Sequence, residues 1–251
     1  MIKLLKFEWH KVWRQKSLYI CFGISLIISL LELLLLRVLA ANLGDVIGDD
    51  LNFLLSNYLL IMIPNSSFGT LLAIYLAIYS CHDHAQQTLK NIYARGYNRT
   101  AVYFAKYLVS LGITFIMALL SLVVGCVFGL MLNSSFGTIS GALVGVLALQ
   151  FWVLIGLHAV YFGTGMLIGK TGGSVALNLF GVSCVFAILS LILQIFKTDF
   201  NIELYDINML MANLVDTNLS SATILRSIFV PLIYTVVFVW GSWYVNQRRD
   251  V

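Results

Sequence analysis

Six stretches of this chain run for more than 20 residues with almost no charge, at about Ser17–Leu39, Leu59–Cys81, Tyr107–Leu132, Ile139–Ile168, Ser174–Phe196 and Ile224–Val245. A helix needs about 20 residues to cross a hydrocarbon layer of about 30 Å, and every stretch meets that length. The alternative, a large soluble core, fails on composition. Here 60% of the residues are hydrophobic and 10% are charged, against about 45–50% and about 25% in a soluble domain. The expected fold is therefore an all-α integral membrane protein with six transmembrane helices, in a single membrane domain over residues 1–251. The third and fourth runs exceed the bilayer and must tilt or project. Pro64, early in the second, predicts a kink or broken turn.

Lys and Arg orient the spans. Twelve of the fifteen fall on one side, in the segments 1–16 and 90–106, at Lys170 and at the C-terminal Arg248 and Arg249. Only Arg37, Lys197 and Arg226 fall on the other, where most of the aspartates gather. Both termini are thus expected in the cytoplasm. A cleaved leader ending at Val38–Ala40 is disfavoured by Glu32 and Arg37 just before it. The four cysteines form no CxxC pair and read as small apolar residues.

Residues 1–16, MIKLLKFEWHKVWRQK, are amphipathic at helical spacing. Ile2, Leu5, Trp9, Val12 and Trp13 can share a face against Lys3, Lys6, Lys11 and Arg14. That suits an interfacial elbow helix on the inner leaflet. The loop over 82–100 reads as a second short helix, with Leu89, Ile92 and Tyr93 on one face. Gly96 ends it as a left-handed stop, and Asn98 or Thr100 caps the helix that enters the third span. A basic loop that only sets topology is the plain alternative.

This loop resembles the pattern between the second and third spans of ABC-2 family permeases of ABC transporters, D-x-x-x-G-T-[IL]-[RK]-N followed by G-x-S-R-x-x-[IV]-[YF]-x-x-K. The matching positions are Asp83, Thr88, Leu89, Lys90, Asn91, Gly96, Arg99, Val102, Tyr103 and Lys106; Gln87 and Asn98 replace the family's glycine and serine. The six-span layout and the elbow segment extend the resemblance over the chain. It implies that the loop is a coupling helix gripping a separate ATPase subunit, with Asp83, Thr88, Leu89, Lys90, Asn91, Ile92, Tyr93, Arg95, Gly96 and Arg99 as the coupling residues. It further implies two ATPase copies carrying ATP and magnesium, a second permease copy or a related chain, and a bacterial plasma-membrane location. The chain also looks like permeases of lantibiotic or bacitracin immunity and of phenol-soluble-modulin-type export, which implies an amphipathic, antimicrobial or otherwise hydrophobic peptide cargo and no nucleic acid. The chain itself has no G-x-x-x-x-G-K-[ST] loop, so no catalytic, cofactor or metal residues are expected in it. A non-transporting sensor or scaffold that binds a partner through residues 82–100 is the second reading.

Other polar residues carry smaller expectations. Adjacent ligands in CHDH, Cys81–His84, cannot converge on one metal ion. Glu32 is an intramembrane acid, either lining a pathway or ion-paired with Arg37 or Arg226. Gln150, His158, Asn178 and Gln194 suit hydrogen bonds between helices or, at the first three, a polar pathway. Glycines repeat at 125/129, 137/141/145 and 165/169/173, which predicts close helix crossings. The loop over 197–223 is apolar enough for a short helix resting on or dipping into the outer leaflet, and the resemblance to exporters of the family implies a re-entrant hairpin there.

Overall fold

The computed structural model describes residues 2–47, 55–85, 88–131, 140–196 and 201–248, with their side chains except at positions 36, 37, 39–47, 55–57, 84, 85, 88, 89 and 91. Among the described residues every regular element is helical. The order is α1 (Ile2–Trp13), α2 (Lys16–Ile47), α3 (Leu55–Met62), α4 (Ser66–Ala85), α5 (Thr88–Ala94), α6 (Arg99–Met131), α7 (Gly141–Ile168), α8 (Thr171–Ala176), a π-helical turn (Leu177–Gly181), α9 (Val182–Ile195), a 3-10 turn (Ile202–Tyr205), α10 (Ile207–Ala212) and α11 (Ser221–Arg248). Six of these runs are long and apolar enough to cross a membrane: α2, α3 with α4, α6, α7, α8 through α9, and α11.

Pro64 breaks the second span as expected, between Met62 and Ser66. Asn65 caps the restart, its Oδ1 accepting from the Ser67 amide at 3.0 Å. Proline has no N–H to give the carbonyl four residues back. That carbonyl, Leu60 O, instead accepts from Gln150 Nε2 at 2.9 Å. The same amide reaches Leu214 O at 2.6 Å, so one side chain ties three segments together. The second proline, Pro231, lies inside an unbroken α11. It is accommodated at Gly156, where a Cβ would stand 2.9 Å from Pro231 Cα. Trp152 Nε1 also donates to Ile228 O there, at 3.0 Å.

The centre of the bundle is α7, whose Val153, Leu154, Ala159, Val160 and Phe162 are buried. By contrast α9 buries none of its residues and presents Val185, Ile188, Leu191 and Ile195 outward. Such a surface suits lipid rather than water. The segment after α9 goes deep: Ile207 packs on Gly156, and Asn208 Oδ1 accepts from the Tyr161 hydroxyl at 3.1 Å. Gly156 is about 22 Å along α7 from its start, so α10 enters the bundle rather than resting at its rim.

Close crossings use glycines, only some of them those of the repeats. Gly125 meets Met62, Gly163 meets Phe238 and Gly165 meets Ser80. Gly141 and Gly145, expected to pack inside the bundle, face open space, and Gly137 lies outside the described residues. Gly169 ends α7 at φ 69°, a left-handed cap.

Candidate functional site: a buried charge junction beneath a short helix

At one end of the bundle α1, the end of α4, α5 and the start of α6 converge. Asp83 closes α4 and is fully buried. Its carboxylate is ion-paired with Lys106 of α6 through one oxygen and with Lys11 of α1 through the other. Lys11 also lies 3.8 Å from Glu8, itself 1% exposed. Glu8 accepts a hydrogen bond from the Tyr79 hydroxyl at 3.2 Å, and the Lys106 ammonium lies 6.0 Å from the Tyr79 ring centre. Two acids and two lysines thus balance, three of them buried and Lys11 reaching partly to the surface. Buried charges persist only when paired in this way.

The junction changes the reading of α1. Its buried residues are Leu4, Glu8 and Val12, at i, i+4 and i+8. Ile2, Trp9 and Trp13, assigned from the sequence to one apolar face with Leu5 and Val12, are exposed. An acid on a basic helix counts as polar in any amphipathic pattern, yet here Glu8 turns inward because its partners wait there.

The short helix α5 forms where the loop pattern placed it, with Gly96 at φ 82° just beyond its end. L residues with a Cβ resist that conformation. Ile92 and Tyr93 pack on a cluster of Leu4, Val102 and Ala105. Their apolar surface therefore serves this chain's own junction. Arg99 sits over the Tyr93 ring at 5.4 Å and donates to Gln247 O at 2.9 Å. Gln247 Nε2 in turn donates to Thr100 Oγ1 at 2.8 Å, so the end of α11 is tied to the same junction. Burial raises the Tyr93 phenol pKa, opposed chiefly by a hydrogen bond with Asn246. The outward surface consists of Lys90, Ala94, Arg95, Gly96, Tyr97 and Asn98. The side chains of Thr88, Leu89 and Asn91 lie outside the described residues. Sequence reasoning missed Glu8 and Tyr97. The signals available were a lone acid among the five basic residues of the first 16 and an aromatic beside the stop glycine.

The intramembrane polar residues do not converge. Gln150 is engaged as described above. His158 Nε2 lies 2.9 Å from Ser110 Oγ, between the Tyr107 and Phe162 rings. Asn178, in the π turn, donates to Ala73 O and Tyr161 O at 3.2 Å each and accepts from Thr164. These are helix-to-helix ties, each made to a backbone carbonyl or a neighbouring hydroxyl. Glu32 stands apart. It accepts from Asn65 Nδ2 and Ser67 Oγ and lines a cavity of about 480 Å³ between α2, α3 and α10. Arg226 stacks on Tyr205 instead, 5.7 Å from its ring centre, and the Arg37 side chain lies outside the described residues.

Among the described residues no group of three His, Cys, Asp or Glu could hold a metal ion; the His84 side chain is outside them. No curated protein and no solved structure matches the chain. A family model described as ABC-2 family transporter protein matches residues 4–181, which span α1 through the π turn and so the whole charge junction. Members of that family are multi-pass membrane components of transporters, not themselves catalytic, and work in general with an ABC ATPase. The chain, with six membrane-length helices and α5 between the second and third, belongs to the ABC-2 family of transporter proteins.

Proposed function

We propose that this chain is the permease of an ATP-driven exporter in the bacterial plasma membrane, with α5 as the lever through which a cytoplasmic ATPase moves the spans. The observation that carries the reading is the double ion pair of Asp83. It fastens the end of the second span to α1 and to the start of the third, with α5 held between them. A helix fixed at both ends transmits displacement instead of absorbing it, and packed helices have discrete arrangements that such displacement can bias. ATP and magnesium belong to the partner, present in two copies beneath two permease chains. The apolar spans suit an amphipathic or hydrophobic peptide cargo.

The docking surface in this proposal is the exposed Lys90, Arg95 and Tyr97. An aromatic flanked by basic residues is a common anchor arrangement at interfaces. Purified from its native membranes with a tag, the chain should bring down a protein with Walker motifs. Arg95→Glu with Tyr97→Asp should insert normally and lose that protein. Gly96→Val should retain it but break the link between ATP hydrolysis and export, because the return angle of the loop changes. Full ATPase recovery and export in the Arg95/Tyr97 variant would refute the docking role of the loop.

A further inference from the structure

Glu32 and the break in the second span place a second concentration of chemistry away from the charge junction. Glu32 lies about 24 Å along α2 from Lys16. One carboxylate oxygen accepts from Asn65 Nδ2 and the other from Ser67 Oγ. Both donors sit at the start of α4, whose free amides add partial positive charge. Neutral donors orient a carboxylate but do not cancel its charge. The three ion pairs among the described residues are all at the other end of the bundle. Arg226 is held by Tyr205. The Arg37 side chain lies outside the described residues. The oriented acid therefore lines a cavity of about 480 Å³ whose wall, among the described residues, is otherwise apolar save for Asn65, with Ile28, Leu35, Ile61, Met62 and Val215 among them. Cavities of about 300–1,000 Å³ with a few placed polar groups are typical ligand sites.

We propose that this cavity binds an ammonium or guanidinium group carried on an apolar body, namely a Lys- or Arg-bearing amphipathic peptide, with Glu32 as its counter-ion. The proposal rests on the transport reading above and narrows its cargo. The apolar wall takes the non-polar face of the peptide. The carboxylate takes the cation, which needs only one acid and none of the converging ligands a metal ion requires. A neutral peptide of the same shape would cover the carboxylate without pairing it, and an anionic one would be repelled, so the acid discriminates by charge. Asn65 and Ser67 are positioning residues: each donates to one oxygen of the carboxylate and fixes it beside the cavity at the point where the helix is broken.

The test uses the full chain in phosphatidylcholine nanodiscs, with empty discs subtracted. The probes are a dansylated Leu/Lys amphipathic peptide and the same peptide with Gln at every Lys. The wild type should bind the Lys peptide about ten-fold tighter than the Gln peptide. Glu32→Gln, which keeps the shape, should bring that ratio close to one. Ala212→Trp, which fills the cavity and leaves Glu32 in place, should abolish binding of both peptides, and it decides the matter if Glu32→Gln fails to assemble. A wild type without discrimination, a Glu32→Gln chain that keeps it, or an Ala212→Trp chain that still binds the Lys peptide overturns the site. The transport reading is separable: ATPase co-purification does not depend on Glu32, so its absence from the wild type would sink that reading while leaving the binding result intact.

Discussion

Asp83 is the residue on which the end of the bundle turns, because it alone meets both lysines of the junction. Replacing it with Asn leaves the buried Lys106 ammonium facing a neutral amide. Removing one partner of a buried pair costs about 3–5 kcal/mol, more than the pair itself contributes over apolar substitutes. Asp83→Asn should therefore lower the melting temperature of the purified chain by an amount on the order of 10 °C. Asp83→Asn with Lys106→Met removes the stranded charge and should recover at least half of that loss. A double variant no more stable than the single one would show that the uncompensated ammonium is not the cause. The sequence flagged Asp83 and Lys106 by their places at either edge of the loop, but it could not pair them with Lys11 or bring in Glu8. The Lys11–Asp83 and Glu8–Tyr79 contacts join residues more than seventy positions apart, and helical periodicity carries no information about which polar residue will find a partner across a bundle.

Element boundaries were largely legible, because they follow from local causes. The fourth span was expected to end at Ile168 and does, and the second breaks at Pro64. Others were not. The first membrane span was expected to stop at Leu39, and the apolar span runs over Lys16–Leu35, while the helix that carries it continues to Ile47; the π turn at Asn178 has no marker in the sequence. Nor was it evident that Ile92 and Tyr93 would turn toward Leu4 and Val102, since an apolar helix face reads the same whether its partner is in the same chain or another. The Pro64 break itself yields a prediction. Gln150→Leu leaves Leu60 O without its donor, at a cost of about 1–3 kcal/mol. Pro64→Ala restores an N–H that can reach that carbonyl directly. Denaturation of the four chains of this cycle should show the double variant to be less destabilised than the sum of the singles, by about 1 kcal/mol. Strict additivity would mean that Gln150 acts through Leu214 alone.

The whole molecule has two unlike ends, and the difference is electrostatic as much as structural. One end gathers α1, α5 and the last turn of α11 around the junction, joined by the contacts of Arg99 with Gln247 and of Gln247 with Thr100. Most of the lysines and arginines of the chain belong to the segments at that end. The other end holds the segment that precedes α11, where Asp216 is exposed. Short basic segments next to a span are retained in the cytoplasm, and acidic ones contribute little to the choice. A charge difference this lopsided should therefore put the junction inside the cell, where an ATPase can reach α5. Asn98 and Asp216 are both exposed and lie in the segments that end α5 and precede α11, so each can report on its own side. Cysteines placed singly at these positions, in a chain whose four native cysteines are replaced by Ala or Ser, should behave oppositely toward a membrane-impermeant maleimide. Asp216→Cys should label in intact cells, and Asn98→Cys only after the membrane is opened. Labelling of Asn98→Cys in intact cells would reverse the orientation, and the docking role of α5 would fall with it, since no cytoplasmic ATPase could then touch Arg95 or Tyr97.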